Sequence, residues 1–394
     1  VTPGTTVSPQ LIEPDCNHYL LAINVVLRSK CIGIAFADLS TGEFEVSEFN
    51  LDESHRFYDF VAQLYPKEVI LSQSRSEAES IFLEEIVRRM VQLLDKGNTS
   101  EVKYDVFLDN CSEIYRGNVF PSNGRFNFID PYHFDYTATQ KSLNKHFQTL
   151  NLSGFGIDDY PHGISAAGAL LRYLEETQKC DLSHLTSLRR HTFENTMLLD
   201  DSTVVNLELF ESQSGVRKHT LFHILNHTCT PMGARLFRQW LRQPLLDAEE
   251  INQRYDSVEE FRNNFMLCEK FRQSLKYIQD LPRIMGRITL PVAGVNDLIA
   301  LRESLEPLQI IPVYFSEFNS PLLHEISENF DPLRDILDFL NHHLKEFPSQ
   351  KLREGGYIAD GVSEELDHLR DISRNSKEYL NKMLQQEREL TGIT

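Results

Sequence analysis

Strand-forming segments are confined to the early part of this chain, and from about residue 180 onward they stop. That one-way change constrains the fold more than any single motif does. Strands alternating with helices, then helices alone, must bury their apolar faces in two different ways. "YLLAINVV" (19–26), "CIGIAFADL" (31–39) and "EFEVSEF" (43–49) are rich in strand formers, and "STG" at 40–42 predicts a tight hairpin between the second and third. "DESHRFYDFVAQLY" (52–65) places Phe57, Phe60, Val61 and Leu64 on one helical face, and "KEVILS" (67–72) returns as a buried strand.

The resulting order is β-β-β-α-β. A meander, a crossover helix and a parallel strand predict a ribonuclease-H-like α/β sandwich. "HGISAAGALLRYLEETQ" (162–178), rich in small residues, is the helix expected to close it. Residues 73–135 carry weaker signals, and "VFPSNGRFNFIDP" (119–131) reads as loop. After the change of character, "DAEEINQRYDSVEEFR" starts at an Asp247 cap and puts Ile251, Tyr255, Val258 and Phe261 on one face. "NDLIALRESL" and "LRDILDFLNHHLKEF" continue in helical period. The segment 363–390 opens on a Ser363 cap, contains no Gly or Pro, and predicts an exposed helical arm roughly 40 Å long. The expectation is α/β followed by all-α, divided as residues 1–178 and 179–394.

At 394 residues and 41% apolar content, the chain has material for two or three folded domains. No apolar run approaches the roughly 18 residues of a membrane span. The first residue is Val, which suggests a fragment. Six scattered cysteines (Cys16, Cys31, Cys111, Cys180, Cys229, Cys268) with no C-x-x-C pair read as free thiols in a reducing cytoplasm. The net charge is −19, and both halves share it: residues 1–178 carry 14 Lys and Arg against 25 Asp and Glu. Neither half is the basic surface of a self-sufficient nucleic-acid binder.

The obvious chemical readings find little support. A ribonuclease-H-like nuclease needs carboxylates converging at the sheet centre. The first strand has none, and Asp38, ending the second, reads as a turn residue. His219, His223 and His227 recur every four residues, a spacing that on one helix would stack three imidazoles for zinc. No nearby carboxylate or cysteine completes such a shell, so an exposed stripe is the expectation. The phosphate-loop signature G-x-x-x-x-G-K-[ST] and the G-x-S-x-G nucleophile motif are absent. No catalytic, cofactor-binding or metal residue is therefore assigned.

"TPMGARLFRQWLRQPL" (230–245) is the most informative stretch. Thr230 caps, Pro231 occupies the first helical position, and Pro244 stops the helix near Arg242. Leu236, Phe237, Trp240 and Leu241 form an apolar face; Arg235, Arg238 and Arg242 form a basic one.

That stretch, together with "MLLDDSTVVNLEL", "TLFHILNHTCTPMGARLFRQWLRQPLLDAEEINQRYDSV" and "GGYIADGVSEELDHLR", resembles the core of the MutS family of bacterial DNA mismatch-repair proteins. The opening "VTPGT" is similar to the start of that family's connector domain, and "QEREL-TGI" to the entry of its levers into the clamp. The least family-like stretch is about 80–128, an enlargement of the connector. The resemblance implies a connector domain (1–178) and a helical core/lever domain (179–394). The mismatch-binding domain and the ATPase, with its ATP and magnesium, lie outside these residues. It implies an inter-domain junction at Gly233, Arg235, Leu236, Trp240 and Arg242, with Leu236 and Trp240 packed, Gly233 permitting close helix approach, and the arginines pairing with acids of a neighbouring domain. For "TATQKSLNKHF" (137–147) it implies MutL contact through Gln140, Lys141, Asn144 and Lys145, with Leu143 and Phe147 in the core. Mismatched double-stranded DNA and a second copy of the full-length protein are its other expected partners.

Three functional readings follow: a transmission element coupling ATPase and DNA-binding parts of a DNA-dependent ATPase, a stand-alone module docking a partner such as MutL, and a nuclease.

Overall fold

The computed structural model describes residues 2–8, 10–73, 76–94, 125–179, 182–193, 195–212, 214–290, 292–346 and 355–392. Strands β1 (Tyr19–Val26), β2 (Cys31–Asp38) and β3 (Glu43–Asn50) form an antiparallel meander. Helix α1 (Ser54–Leu64) crosses over, and β4 (Glu68–Ser72) returns parallel to β1, as the sequence pattern predicts. Helix α2 (Glu77–Leu94) leads towards β5 (Phe126–Ile129), which adds parallel to β4. Helices α3 (Tyr136–Phe147) and α4 (Pro161–Gln178) follow, and β6 (Arg189–Arg190) joins the far edge. The six strands run in the order β5-β4-β1-β2-β3-β6.

Strand alternation sends β-branched and aromatic residues to both faces, and each face is covered. On one, Phe57, Phe60, Val61 and Leu64 of α1 meet Ile86, Val87 and Met90 of α2 over the sheet. On the other, Ala166, Ala167, Leu170, Leu171 and Leu174 of α4 lie against β1 and β2. Helix α3 reaches α4 only because residue 168 is Gly: a Cβ there would sit 2.2 Å from Thr139 Cβ. Leu182, Leu185 and Leu188 belong to this same apolar cluster, so the α/β core runs past residue 178.

One expectation fails here. Residues 126–129, expected as loop, are β5: Phe126 and Phe128 pack on the α1–α2 side, while Asn127 Nδ2 donates to Glu68 Oε1 at 2.6 Å on the other. Five residues between "SNG" and "DP" are too few for their alternation to outweigh the turn signals. The enlargement expected at 80–128 falls partly on α2 and β5, and its 95–124 portion lies outside the described residues, as do Cys111 and Cys180.

The remainder is helical apart from isolated bridges: α5 (Asp201–Asn206), α6 (Leu221–Leu225), α7 (Pro231–Arg242), α8 (Ala248–Asn263), α9 (Phe265–Leu275), α10 (Leu281–Thr289), α11 (Val295–Leu308), α12 (Ile311–Phe315), α13 (Pro321–Glu328), α14 (Arg334–His343), α15 (Glu364–Arg374) and α16 (Ser376–Thr391). Leu305, Phe315, Phe318 and Leu340 centre one core, and Leu209, Phe210 and Phe222 a smaller one.

Two helical readings need correction. On α8, Asp247 caps as expected, but Tyr255 and Val258 are 67% and 63% exposed. The residue that α8 buries is Ser257, whose hydroxyl bonds Ser320 Oγ at 2.8 Å. The arm at 363–390 is capped by Ser363 yet breaks at Asn375 (φ −110°, ψ +30°), where the side-chain amide donates to Asp371 Oδ1 and competes with the helix. Its exposure is as expected: every described side chain of α16 faces solvent.

Candidate functional site

The ends of α7 form as its sequence dictates. Gly233 N–H donates to Thr230 Oγ1 at 3.1 Å, Pro231 takes the first position, and Gln243, preceding Pro244, leaves helical geometry at φ −128°, ψ +71°. Its burial is the reverse of the expectation. The Arg235 side chain is 8% exposed, whereas Leu236 and Trp240 are 48% and 42% exposed. Only half of the apolar face packs, Phe237 and Leu241 joining the Phe210–Phe222 cluster.

The reason is what α7 faces. Against its arginine side lies the turn at residues 13–16, whose carbonyls and carboxylates require donors when covered. An apolar face would leave them unsatisfied; a guanidinium fork supplies several donors at once. Arg235 makes a bidentate pair with Asp280 at 2.6 and 2.8 Å and also donates to Pro14 O at 3.0 Å. Arg238 reaches Asp15 at 3.4 Å and lies over the rings of Phe210 and Phe222. Arg242 donates to Gln63 O and stacks over Phe210.

Sequence reasoning missed the other half of the clamp. Arg283 of α10, itself buried, donates to Glu13 O at 2.9 Å, Cys16 O at 2.6 Å and Ser40 Oγ at 3.2 Å. Arg217 pairs with Glu13. The glycine that permits close approach is Gly286, where a Cβ would stand 2.7 Å from Ser40 O; a Cβ on Gly233 would meet only its own cap, Thr230 and Thr228. The "LPRIMGRIT" period on α10, with Arg283 and Gly286 three apart on one face, was the available signal.

Burial and charge act together at this junction. Burial, a hydrogen bond from Tyr19 and neighbouring acids compete at Glu43; burial and the Glu45 charge win, raising its carboxyl to about 7. Glu43 Oε2 accepts from Asn17 Nδ2 at 2.7 Å and Tyr19 Oη at 2.9 Å. Burial pushes the Cys16 thiol up to about 11 and, with Arg238 close by, draws Arg242 down to about 10. Between the two regions lies a cavity of about 610 Å³.

Other candidates resolve simply. Glu13, Asp15 and Cys16 bring ligand atoms within 4.8 Å of one another, but Arg217 and Arg238 already occupy both carboxylates, so a dication would meet two guanidiniums. Asp38 accepts from His18 N–H at 3.0 Å and from the Ser40 N–H and hydroxyl at 2.9 and 2.6 Å, a turn role that leaves no carboxylate aimed at a substrate. His219 has φ +69° and precedes the five-residue α6, so His219, His223 and His227 do not share one helical face. On α3, Lys141 and Lys145 are exposed, Gln140 and Asn144 are half-buried, and Asn144 Nδ2 donates to Leu150 O at 3.4 Å. Leu143 is buried, with Phe147 packed beside the same core.

Fold and junction define a two-part scaffold, an α/β domain clamped by arginines to a helical stem that ends in an exposed arm. The profile of MutS domain II matches residues 18–111 and 121–186, and that of MutS domain III matches residues 202–391. The chain is 33% identical to the DNA mismatch repair protein MutS of Halothermothrix orenii, and all of it aligns with 40% of that protein. The MutS proteins of Symbiobacterium thermophilum and Lachnoclostridium phytofermentans are 35% and 32% identical, the chain covering 41% and 38% of each. The chain therefore belongs to the MutS family of DNA mismatch-repair proteins, and it spans about 40% of the length of these relatives. No helix among the described residues is long and apolar enough to cross a membrane.

Proposed function

We propose that these residues are the connector and lever part of a cytoplasmic mismatch-repair protein, transmitting conformational change between an ATPase and the DNA-binding parts. In this reading the whole protein binds mismatched double-stranded DNA and ATP with magnesium, works as a homodimer, hydrolyses ATP in a domain outside these residues and recruits MutL. The observation that carries it is the clamp: Arg235 through Pro14 O, with Arg238, Arg242 and Arg283, ties the helical stem to the α/β domain through directional bonds, not a broad apolar seam. Such bonds have discrete made and broken states, the kind of element through which two distant sites bias one another.

The test uses the full-length protein. Arg238→Met with Arg242→Met should leave mismatch binding intact while weakening nucleotide-driven release of DNA. Unchanged coupling would sink the proposal. For MutL, Lys141→Glu with Lys145→Glu on the exposed side of α3 should reduce recruitment without touching mismatch affinity; recruitment at the original level would remove α3 from the interface.

A further inference from the structure

We propose that the cavity between the two regions is a binding site for a small polyvalent oxyanion, a phosphate-bearing small molecule, held by Lys67 and Arg242 beside Cys16. Four cationic side chains, Lys67, Arg217, Arg238 and Arg242, line this cavity and lie within electrostatic reach of Cys16. Of the carboxylates near Cys16, Glu13 is engaged by Arg217 and Asp15 by Arg238, while Glu211 on the cavity wall acts on Arg242 only at longer range. Lys67 Nζ lies 4.9 Å from the Tyr65 ring centroid, and Arg242 donates to Gln63 O while stacking over Phe210. Among the described residues neither makes an ion pair within 4 Å, although Glu13 acts on Lys67 and Glu211 on Arg242 from further away.

Covered cations in proteins are normally paired, so two without a close ion pair facing one cavity leave room there for a further negative charge. The electrostatics agree. Burial, against the pull of Glu13 and with help from Arg125 and Arg217, holds Lys67 below the usual lysine value, and burial with Arg238 does the same to Arg242. The Cys16 thiol, kept protonated by burial, does not neutralise them. The acids of the opposite wall are turned to their own donors, Glu43 to Asn17 and Tyr19, Glu45 to His191 Nδ1 at 2.7 Å. At about 610 Å³ the cavity has the size of ordinary small-molecule sites and excludes a nucleic-acid duplex. A phosphate group suits it, since guanidinium and ammonium donors recognise its oxygens directly.

Titration of the 394-residue chain with pyrophosphate, inorganic phosphate and ATP, against sodium chloride at equal ionic strength, decides it. Pyrophosphate should bind saturably and raise the melting temperature more than phosphate does. ATP binding no tighter than pyrophosphate assigns recognition to the phosphates alone; tighter binding assigns a nucleotide. Lys67→Gln and Arg242→Gln should each weaken pyrophosphate binding about tenfold or more, the loss of one charged hydrogen-bonding group, while Lys67→Arg retains it. Stabilisation that follows ionic strength alone, or unchanged binding in folded Lys67→Gln and Arg242→Gln proteins, would overturn the proposal.

Discussion

The α/β domain and the helical stem solve the same burial problem with different means. The domain sandwiches its sheet between helices on both faces, and its cores are dense with fully buried Ile, Leu, Phe and Ala. The stem divides its apolar residues between two smaller cores and leaves Leu236, Trp240, Tyr255, Val258, Phe265 and Met266 exposed. Order in the first region comes from its own packing; at the boundary of the second it comes from guanidinium bonds to a turn. Apolar packing is non-directional and tolerant, whereas a guanidinium hydrogen bond fixes one geometry and releases it when its partner is lost. This contrast makes the junction, not either core, the place where a small change has a discrete effect.

The sharpest way to stress the contrast is to open the denser core. Phe57→Ala removes a fully buried ring and should destabilise the α/β domain by about 3–5 kcal/mol, read as a lower urea midpoint. Next is the clamp. Arg235→Met removes both close hydrogen bonds of the covered Asp280 and leaves it only Arg283 at 3.7 Å, and should cost about 3 kcal/mol in the same measurement. The double change Arg235→Met with Asp280→Asn should recover part of that loss; full additivity would show that the pair is not coupled.

A pH series probes the junction without cutting it. Glu43 has a folded value near 7 against an ordinary 4.5, so the native state holds its proton more tightly than the unfolded chain does. Its contribution is intact below pH 4.5 and is lost as pH rises through 7, to a total of roughly 3 kcal/mol. Glu43→Gln, which cannot ionise, should gain stability relative to the parent chain at pH 8 and show no such gain at pH 4. A pH-independent difference would place Glu43 in a solvated site.

The smallest effect is expected at Trp240, which is largest in volume. Its ring is partly exposed and covered on one side by Arg254, whose guanidinium carbon lies 3.8 Å from the ring centroid. Trp240→Ala should therefore lower stability by only about 1 kcal/mol. A loss equal to that of Phe57→Ala would restore the ring as a packing anchor and erase the contrast drawn above.

These residues also show what the sequence makes legible. The meander, the crossover helix and every cap named for α7, α8 and α15 follow from local chemistry, so they can be read without tertiary knowledge. The junction could be placed on α7, because an amphipathic helix with two arginine-rich turns must do something with each face. Which face turns inward was not legible. That choice depends on the backbone of residues 13–16, more than two hundred positions away, and hydrophobicity alone favours the wrong side. Arg283 and Gly286 escaped for the same reason: their partner, the Ser40 turn, is visible only in three dimensions. Strand β5 was hidden by its brevity, and the break at Asn375 by the absence of Gly or Pro, since Asn disrupts a helix through its side chain.

Amide hydrogen exchange on the chain carrying Arg235→Met and Arg238→Met tests the central claim most directly, that the arginine face of α7 holds the two regions together. The account predicts lost protection in α7, α10 and the segment 13–18, with β1, β2 and β4 as protected as in the parent chain. Protection unchanged in α7 and 13–18, or lost equally across the sheet, would contradict it.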